Sequence, residues 1–481
     1  MAFDVHPDDA ARMPRSRLCA RIPSTRPRYR VERIVWHDGG AWALRRAGLA
    51  LAEERGVWRL TRLVPDGTPW LATQPAPELA QALLPTDLGH ELPDDLAPVA
   101  TFEGRSATWE TNTEAGPVTV TLLRGKAGET ALASVTLDGP DIAVRSLALG
   151  LAVAFRVTVP SASLAAVSIA AVAGEATPPR HTAGRQPFDG ADVAGVFAHA
   201  MGHVTDVLLH YAPLAAAGGD DTEPVHQMRV AVRRARSAVA AFRMGLACPD
   251  VLAADRDLKA LGRVLGPVRD WDVFVTETLP RVASAFPGEA RLARLGQAAQ
   301  RQRERLQAAL REMLTVPAFQ QHMVGLAWLC ASRSWLTTLG AEEQAAIALS
   351  PEAFASHVLQ RRWKKVGATG KEIESLDVES LHGLRLRAKR ARYAMEIFQP
   401  RAHPKSAQRM IRRLSALQHH LGLLNDGAVA GQLLDSLDNK NGRHDRAIGL
   451  VLGYLAASAA SVRPDILRAW MKFRRTPRFW S

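Results

Sequence analysis

Two stretches of this 481-residue chain write the same helix twice: residues 225–242 read VHQMRVAVRRARSAVAAF and residues 381–398 read LHGLRLRAKRARYAMEIF. A second block repeats at the same distance. Leu258, Leu261, Leu265, Gly266 and Asp270 return as Leu414, Leu417, Leu421, Gly422 and Asp426. His226 to His382 and Asp270 to Asp426 are both steps of 156 residues. Two separated blocks with one offset mark a duplicated unit. Each copy must bury the same apolar stripe, so the fold expected here is all-α, two helical bundles related by a pseudo-twofold.

At about 100° per residue the repeated helix divides cleanly into two faces. His226, Arg229, Arg233 and Arg236 fall within a sector of roughly 80°, and Met228, Val232, Ala235, Val239 and Phe242 lie opposite. In the second copy His382, Arg385, Lys389 and Arg392 form the polar face, backed by Leu384, Ala388, Ala391, Met395 and Phe398. Each helix thus offers an apolar back to a core and a front of three cations opened by a histidine. If the copies are related by symmetry, the two fronts can converge on one groove.

Charge says what such a groove would seek. The net charge is +13, and all of it comes from one part of the chain. Residues 1–186 carry 20 Lys and Arg against 20 Asp and Glu, whereas residues 187–481 carry 41 against 28. The C-terminal part should therefore seek a polyanion: nucleic acid, an anionic membrane or polyphosphate. Cys19, Cys248 and Cys330 are far apart and odd in number, so a reduced, cytoplasmic protein is expected, with no metal site and no cofactor. Residues 1–15 lack the apolar run of a secretory signal. Residues 146–174 are interrupted by Arg156 and Pro160, so they read as a buried helix followed by a strand rather than a membrane span. No phosphate-binding glycine loop, dinucleotide fingerprint or hydrolase elbow occurs.

Along the chain, residues 1 to about 26 read as irregular. Strands are expected at YRVERIVW, VWRLTRLV, ATFEGRSATWET, GPVTVTLLRG and TALASVTLDG, while AWALRRAGLALAEE stays ambiguous. A short helix is expected near Glu78–Leu84, and another at IAVRSLALGLAVAF. Residues 1–175 form an α+β domain with an antiparallel sheet, residues 176–189 a linker, and residues 190–481 a helical domain with halves of about 190–345 and 346–481. Pro224 suits the start of the first motif helix.

The tandem pattern His-x-x-Arg-x-x-x-Arg/Lys-x-x-Arg, with Leu-x-x-Leu-x-x-x-Leu-Gly-x-x-x-Asp after it, resembles the CHAD domain over roughly residues 190–481. That resemblance implies a pair of four-helix bundles with a basic central channel that binds inorganic polyphosphate. It also implies a place in the cytoplasm and at polyphosphate granules. Residues 1–175 resemble a CYTH-like barrel, a fold of triphosphate hydrolases and adenylate cyclases that often precedes a CHAD domain. WALRRAGLALAEERGVWRLTRL is similar to that family's central hairpin, and ALASVTLDG stands where an acidic strand belongs.

The catalytic set of the CYTH family is missing. RSRLCARI stands where its ExExK strand belongs, Ser134 and Thr136 replace glutamates, and Ala52 and Glu54 replace arginines. No Lys or Arg lies between Arg156 and Arg180. A triphosphate site needs carboxylates for Mg²⁺ and cations for phosphate, so this domain is expected to be degenerate and the protein not an enzyme.

The expected function is polyphosphate binding by His226, Arg229, Arg233, Arg236, His382, Arg385, Lys389 and Arg392. Lys259, Arg263, Arg361, Arg362, Lys364, Lys365, Arg412 and Arg413 are further cations for the same ligand. A flexible phosphate chain offers no bases to read, so a line of rigidly held guanidinium forks suits it. The histidines, near helix N-termini, either donate to phosphate or fix an arginine. Asp270 and Asp426 are expected to cap a helix or orient arginines, and the aromatic, basic tail MKFRRTPRFW to be a frayed end. Two competing readings are triphosphatase activity in the N-terminal barrel and nucleic-acid binding, nucleic acid being a rival polyanion.

Overall fold

Alternating apolar residues decide the N-terminal architecture. Eight strands, β1 (Ala2–Val5), β2 (Arg28–Asp38), β3 (Leu49–Glu54), β4 (Val57–Arg62), β5 (Ala97–Thr113), β6 (Gly116–Ala127), β7 (Thr130–Asp138) and β8 (Val157–Thr158), form one antiparallel sheet in the order β4-β3-β2-β5-β6-β7-β1-β8. This computed structural model describes every residue except 23–25, 41, 64–94, 161, 176–191, 400–403, 438–441 and 481. The expected linker at 176–189 and the helix near Glu78–Leu84 lie outside the described residues. Two compact units emerge: residues 1–182 with 205–210 and 314–334, and residues 183–204, 211–313 and 335–481.

In the first unit, Val118, Val120 and Leu122 of β6, Val135 and Leu137 of β7, and Phe3 of β1 are buried. They sit on the face covered by α3 (Asp141–Ala154), whose Val144, Leu147 and Leu151 are buried in turn. Two shorter helices, α1 (Pro7–Arg12) and α2 (Ala43–Arg46), precede it. Beyond it, α4 (Leu164–Ala173) lays Ala165 and Ile169 on Trp36 and Phe102. Gly104 and Gly125 oppose each other in register, and a Cβ on Gly125 would lie 2.6 Å from the Phe102 ring; only glycine lets that ring lie flat across the strands.

Several expectations change. The pairing ends at β4 and at the two-residue β8, so among the described residues the sheet is open and the expected barrel is not closed. Residues 1–26, expected to be irregular, supply β1 and α1. RSRLCARI is not a strand; only Arg21 bridges to Thr111. The strand expected before residue 174 is just Val157–Thr158, because α4 takes up the apolar residues after Ser163, whose hydroxyl caps its first turn. AWALRRAG resolves into one helical turn and then β3.

Downstream of residue 192 every element is helical: α5 (Val193–Ala217), α6 (Glu223–Phe242), α7 (Pro249–Val273), α8 (Leu279–Ala285), α9 (Ala290–Thr315), α10 (Pro317–Ala331), α11 (Ala341–Ile347), α12 (Pro351–Thr369), α13 (Val378–Ile397), α14 (Pro404–Asp435) and α15 (Asp445–Arg474). Of these, α10 packs on α3 in the first unit. In the second unit Trp271, Phe274, Leu279, Leu295, Leu434, Val451 and Leu455 gather α7, α8, α9, α14 and α15 around one core. By length and composition α15 could cross a membrane, although Ala447, Val451 and Leu455 on one side of it pack into this core.

Between α7 and α8 the chain passes through a π-helical turn, Phe274–Thr278, a geometry that usually marks a local demand on the backbone. Beside it the fully buried Asp272 accepts from Arg303 Nε at 2.7 Å and Gln307 Nε2 at 3.1 Å. Removing one member of a buried ion pair strands the other charge. Asp272→Ala is therefore expected to cost about 3–5 kcal/mol in urea unfolding, and Asp272→Leu with Arg303→Leu to recover most of it. A loss below about 1 kcal/mol for Asp272→Ala, the range of a surface pair, would contradict this role.

Candidate functional site

The repeated helices are α6 and α13, and local chemistry starts each one. Pro224 lies in the first turn of α6, with its missing N–H where no partner is needed. The Asp377 carboxylate accepts from Ser380 N at 2.8 Å to cap α13. All ten residues assigned to the apolar backs are buried: Met228, Val232, Ala235, Val239 and Phe242, and their counterparts Leu384, Ala388, Ala391, Met395 and Phe398. The backs end in contact with one another. Phe242 and Phe398, the same position in the two copies, have ring centroids 5.1 Å apart, and Phe354 of α12 stacks on Phe242 at 5.3 Å.

Polar groups tie the same two helices together. Glu396 of α13 is 3% exposed; it accepts from Arg392 Nη1 at 2.6 Å and faces Arg234 Nη2 of α6 at 2.7 Å. Both guanidiniums also lie over the Tyr393 ring, at 5.2 and 4.7 Å. One carboxylate therefore serves a cation from each copy.

The second repeated block explains itself in the same way. Arg229 reaches from α6 to α7, donating to Gly266 O and pairing with Asp270 at 2.9 Å. A Cβ on Gly266 would lie 3.6 Å from that guanidinium, and one on Gly422 would lie 3.9 Å from Arg385. Asp426 in turn acts on Arg385. Of the two roles expected for the repeated aspartates, Asp270 pairs with its arginine, while Asp426 influences Arg385 through its charge. The histidines also relate to matching positions: the charge of Arg269 of α7 acts on His226, and His382 Nδ1 contacts Asn425 Oδ1 of α14.

Electrostatics brings the copies together. Burial and then Asp426, which opposes it, act on Arg385, followed by Arg233 and Arg229 of the other copy; the net effect lowers it. Burial, with Arg385, Arg233, Arg229 and Arg392 behind it, brings the Lys389 ammonium down to about 7. Burial and Arg269 hold His226 below the ordinary histidine value. The buried Nε of Arg233 and that of Arg385 have no hydrogen-bond partner among the described residues. Arg236 and Arg392 are less available, since Arg236 pairs with Asp255 at 3.0 Å and Arg392 holds Gln418 at 2.9 Å as well as Glu396.

The eight further cations separate. Lys259, Arg263, Lys364 and Arg412 are exposed. Arg413 is taken up by the end of α15, donating to Lys472 O at 2.9 Å and Thr476 Oγ1 at 2.8 Å. Arg361, Arg362 and Lys365 line a cleft of about 590 Å³ with Arg243, His357, Glu342 and Glu343. The tail is not frayed: Trp480 sets its ring edge-on to Trp363 at 6.0 Å, and Ser356 Oγ donates to Trp480 O at 3.0 Å. Sequence reasoning missed Arg234, Tyr393, Glu396 and Arg390. The one available signal was that Arg234 and Arg390 also stand 156 residues apart.

Among the described residues no group of three or more His, Cys, Asp or Glu side chains is placed to hold a metal ion. Among curated proteins the chain has no match. A solved CHAD domain from the plant Ricinus communis is similar, at 29% identity and a TM-score of 0.52, over 63% of this chain and 99% of that one. PptA from Streptomyces chartreusis aligns at 13% identity and a TM-score of 0.44 over 59% of this chain and 100% of its own. The family model for the CHAD domain matches residues 199–435, the span that holds both repeated blocks. Residues 199–435 of this chain are therefore a CHAD domain.

Proposed function

We propose that this protein binds inorganic polyphosphate without transforming it, in a groove between the duplicated helical bundles, which we read as related by a pseudo-twofold. The observation that carries this reading is the mutual influence of Arg229, Arg233, Arg385, Lys389 and Arg392. Five like charges gathered from two helices repel one another, and a polyanion relieves that repulsion. Guanidinium forks fixed on helices lose little entropy when they meet phosphate oxygens. The unmatched Nε–H groups of Arg233 and Arg385 are donors waiting for an acceptor. His226, Arg236 and His382 extend the line, with the exposed Lys259, Arg263, Lys364 and Arg412 as an outer shell.

We further read residues 1–175 as a CYTH-like module that has lost catalysis. Supporting this, Ser134 and Thr136 of β7 stand opposite Asp4 and Ala2 of β1 and opposite Leu123 and Thr121 of β6. Asp4 is the one carboxylate among these positions, with hydroxyls, an alanine and a leucine where a metal site would require several. Cytoplasmic residence and association with polyphosphate granules follow from this reading.

The test is competition in the full chain. Polyphosphate should displace bound DNA or RNA at far lower phosphate-equivalent concentration, and Arg229→Glu with Arg385→Glu should abolish its binding. Arg233→Gln with Lys389→Gln should weaken it at least about tenfold without lowering the unfolding midpoint, whereas Arg475→Glu in the tail should do nothing. Equal displacement by nucleic acid would favour that rival, and Mg²⁺-dependent phosphate release from triphosphate would restore the catalytic one.

The same cluster predicts a pH dependence of stability. In the folded state Lys389 titrates at about 7, below its ordinary 10.5, so the unfolded chain binds more protons between those values. Stability of the ligand-free protein should rise with pH across that window, and the penalty should be complete below about pH 7. Lys389→Met should remove this component of the slope; an unchanged profile in urea unfolding at pH 7 and 9 would contradict it.

A further inference from the structure

The two copies differ at one position whose effect is large. Arg234 of α6 reaches across to Glu396 of α13. The reciprocal pair would join Arg390 of α13 to position 240 of α6, since 234 and 390, like 240 and 396, are 156 apart. Position 240 is alanine. Its carbonyl instead accepts from Arg362 Nη2 of α12 at 2.9 Å. Arg362 is lowered by burial and then by Arg390 and Arg361. Where one side of the α6–α13 contact has a carboxylate between its cations, the other has an uncompensated cluster.

That cluster adjoins the 590 Å³ cleft lined by Arg243, Arg361, Arg362 and Lys365. Arg243, the C-cap of α6, lies seven residues beyond Arg236, so the cleft adjoins the end of the first cationic ridge. Glu342 and Glu343 also line it, so the cleft is not a uniformly cationic path for a continuing phosphate chain.

We propose that this cleft holds the terminal phosphate of a phosphate chain, while the ridges hold internal ones. This rests on the phosphate-chain reading of the ridges. A terminal phosphate carries about −1.5 to −2 charges near pH 7 and needs no exit, which matches a cleft that sets four cations beside two carboxylates. An internal phosphate carries about one charge and must continue on both sides.

The experiment measures binding to the full chain of tripolyphosphate and of its ester methylated on both terminal phosphates. The unprotected chain should bind at least about tenfold tighter. Ala240→Glu, which copies Glu396, should erase that preference, as should Arg361→Gln with Lys365→Gln, both on exposed side chains. Arg233→Gln with Lys389→Gln in the ridges should leave it intact. No preference in the parent protein, or a preference that survives both cleft variants, overturns the proposal. If ridge variants spare long polyphosphate while cleft variants still erase the preference, the ridge reading falls and the end site stands.

Discussion

Repulsion among cations that packing refuses to let separate is the constraint around which the helical unit is built. The apolar backs of α6 and α13 are buried, and Phe242, Phe354 and Phe398 lock their ends together. Burial of each such side chain contributes about 1.5–3 kcal/mol. That is ample to hold side chains whose charges oppose the arrangement. Glu396 neutralises one end of the contact, and Asp270 and Asp426 each address one arginine. What remains, centred on Arg233 and Lys389, has no carboxylate partner among the described residues. A site that is electrostatically strained when empty gains affinity from relief of that strain, which is why the proposed ligand is a polyanion.

Duplication gives this site its parts, and divergence gives it direction. Arg229 pairs with Asp270 and Arg385 feels Asp426 at the same positions across the 156-residue step, each arginine near a glycine. The histidines hold their place but face different partners, Arg269 in one copy and Asn425 in the other. Asp255, which binds Arg236, has Ile411 as its counterpart, and Glu396 has Ala240. A phosphate chain is the same in both directions, whereas the proposed groove, with these differences, would not be.

The sequence made some features legible because periodicity reports which face a residue occupies. The ten apolar back residues could be read that way. Periodicity does not report what a face meets. Arg234 and Glu396 were missed because their contact joins two helices far apart in the chain, and Arg413 and the Trp480 tail because their partners lie on α15 and α12. In the sheet unit, β1 is four residues long and follows no long alternating run, so no pattern announced it. The open edge at β8 came from a strand of two residues, too short for a closing partner. An antiparallel sheet was foreseeable from alternation at Val118, Val120 and Leu122; its closure was not, since closure depends on edges rather than faces.

The most direct measurement follows the Lys389 ammonium itself, by NMR of the isotopically methylated lysines, with Lys389→Arg to assign its resonance. Without ligand it should titrate near 7. With polyphosphate bound among the surrounding guanidiniums, negative charge should return it most of the way to the ordinary lysine value near 10.4. A titration unchanged by saturating polyphosphate would mean that the chain does not enter this cluster, and the central claim would be wrong.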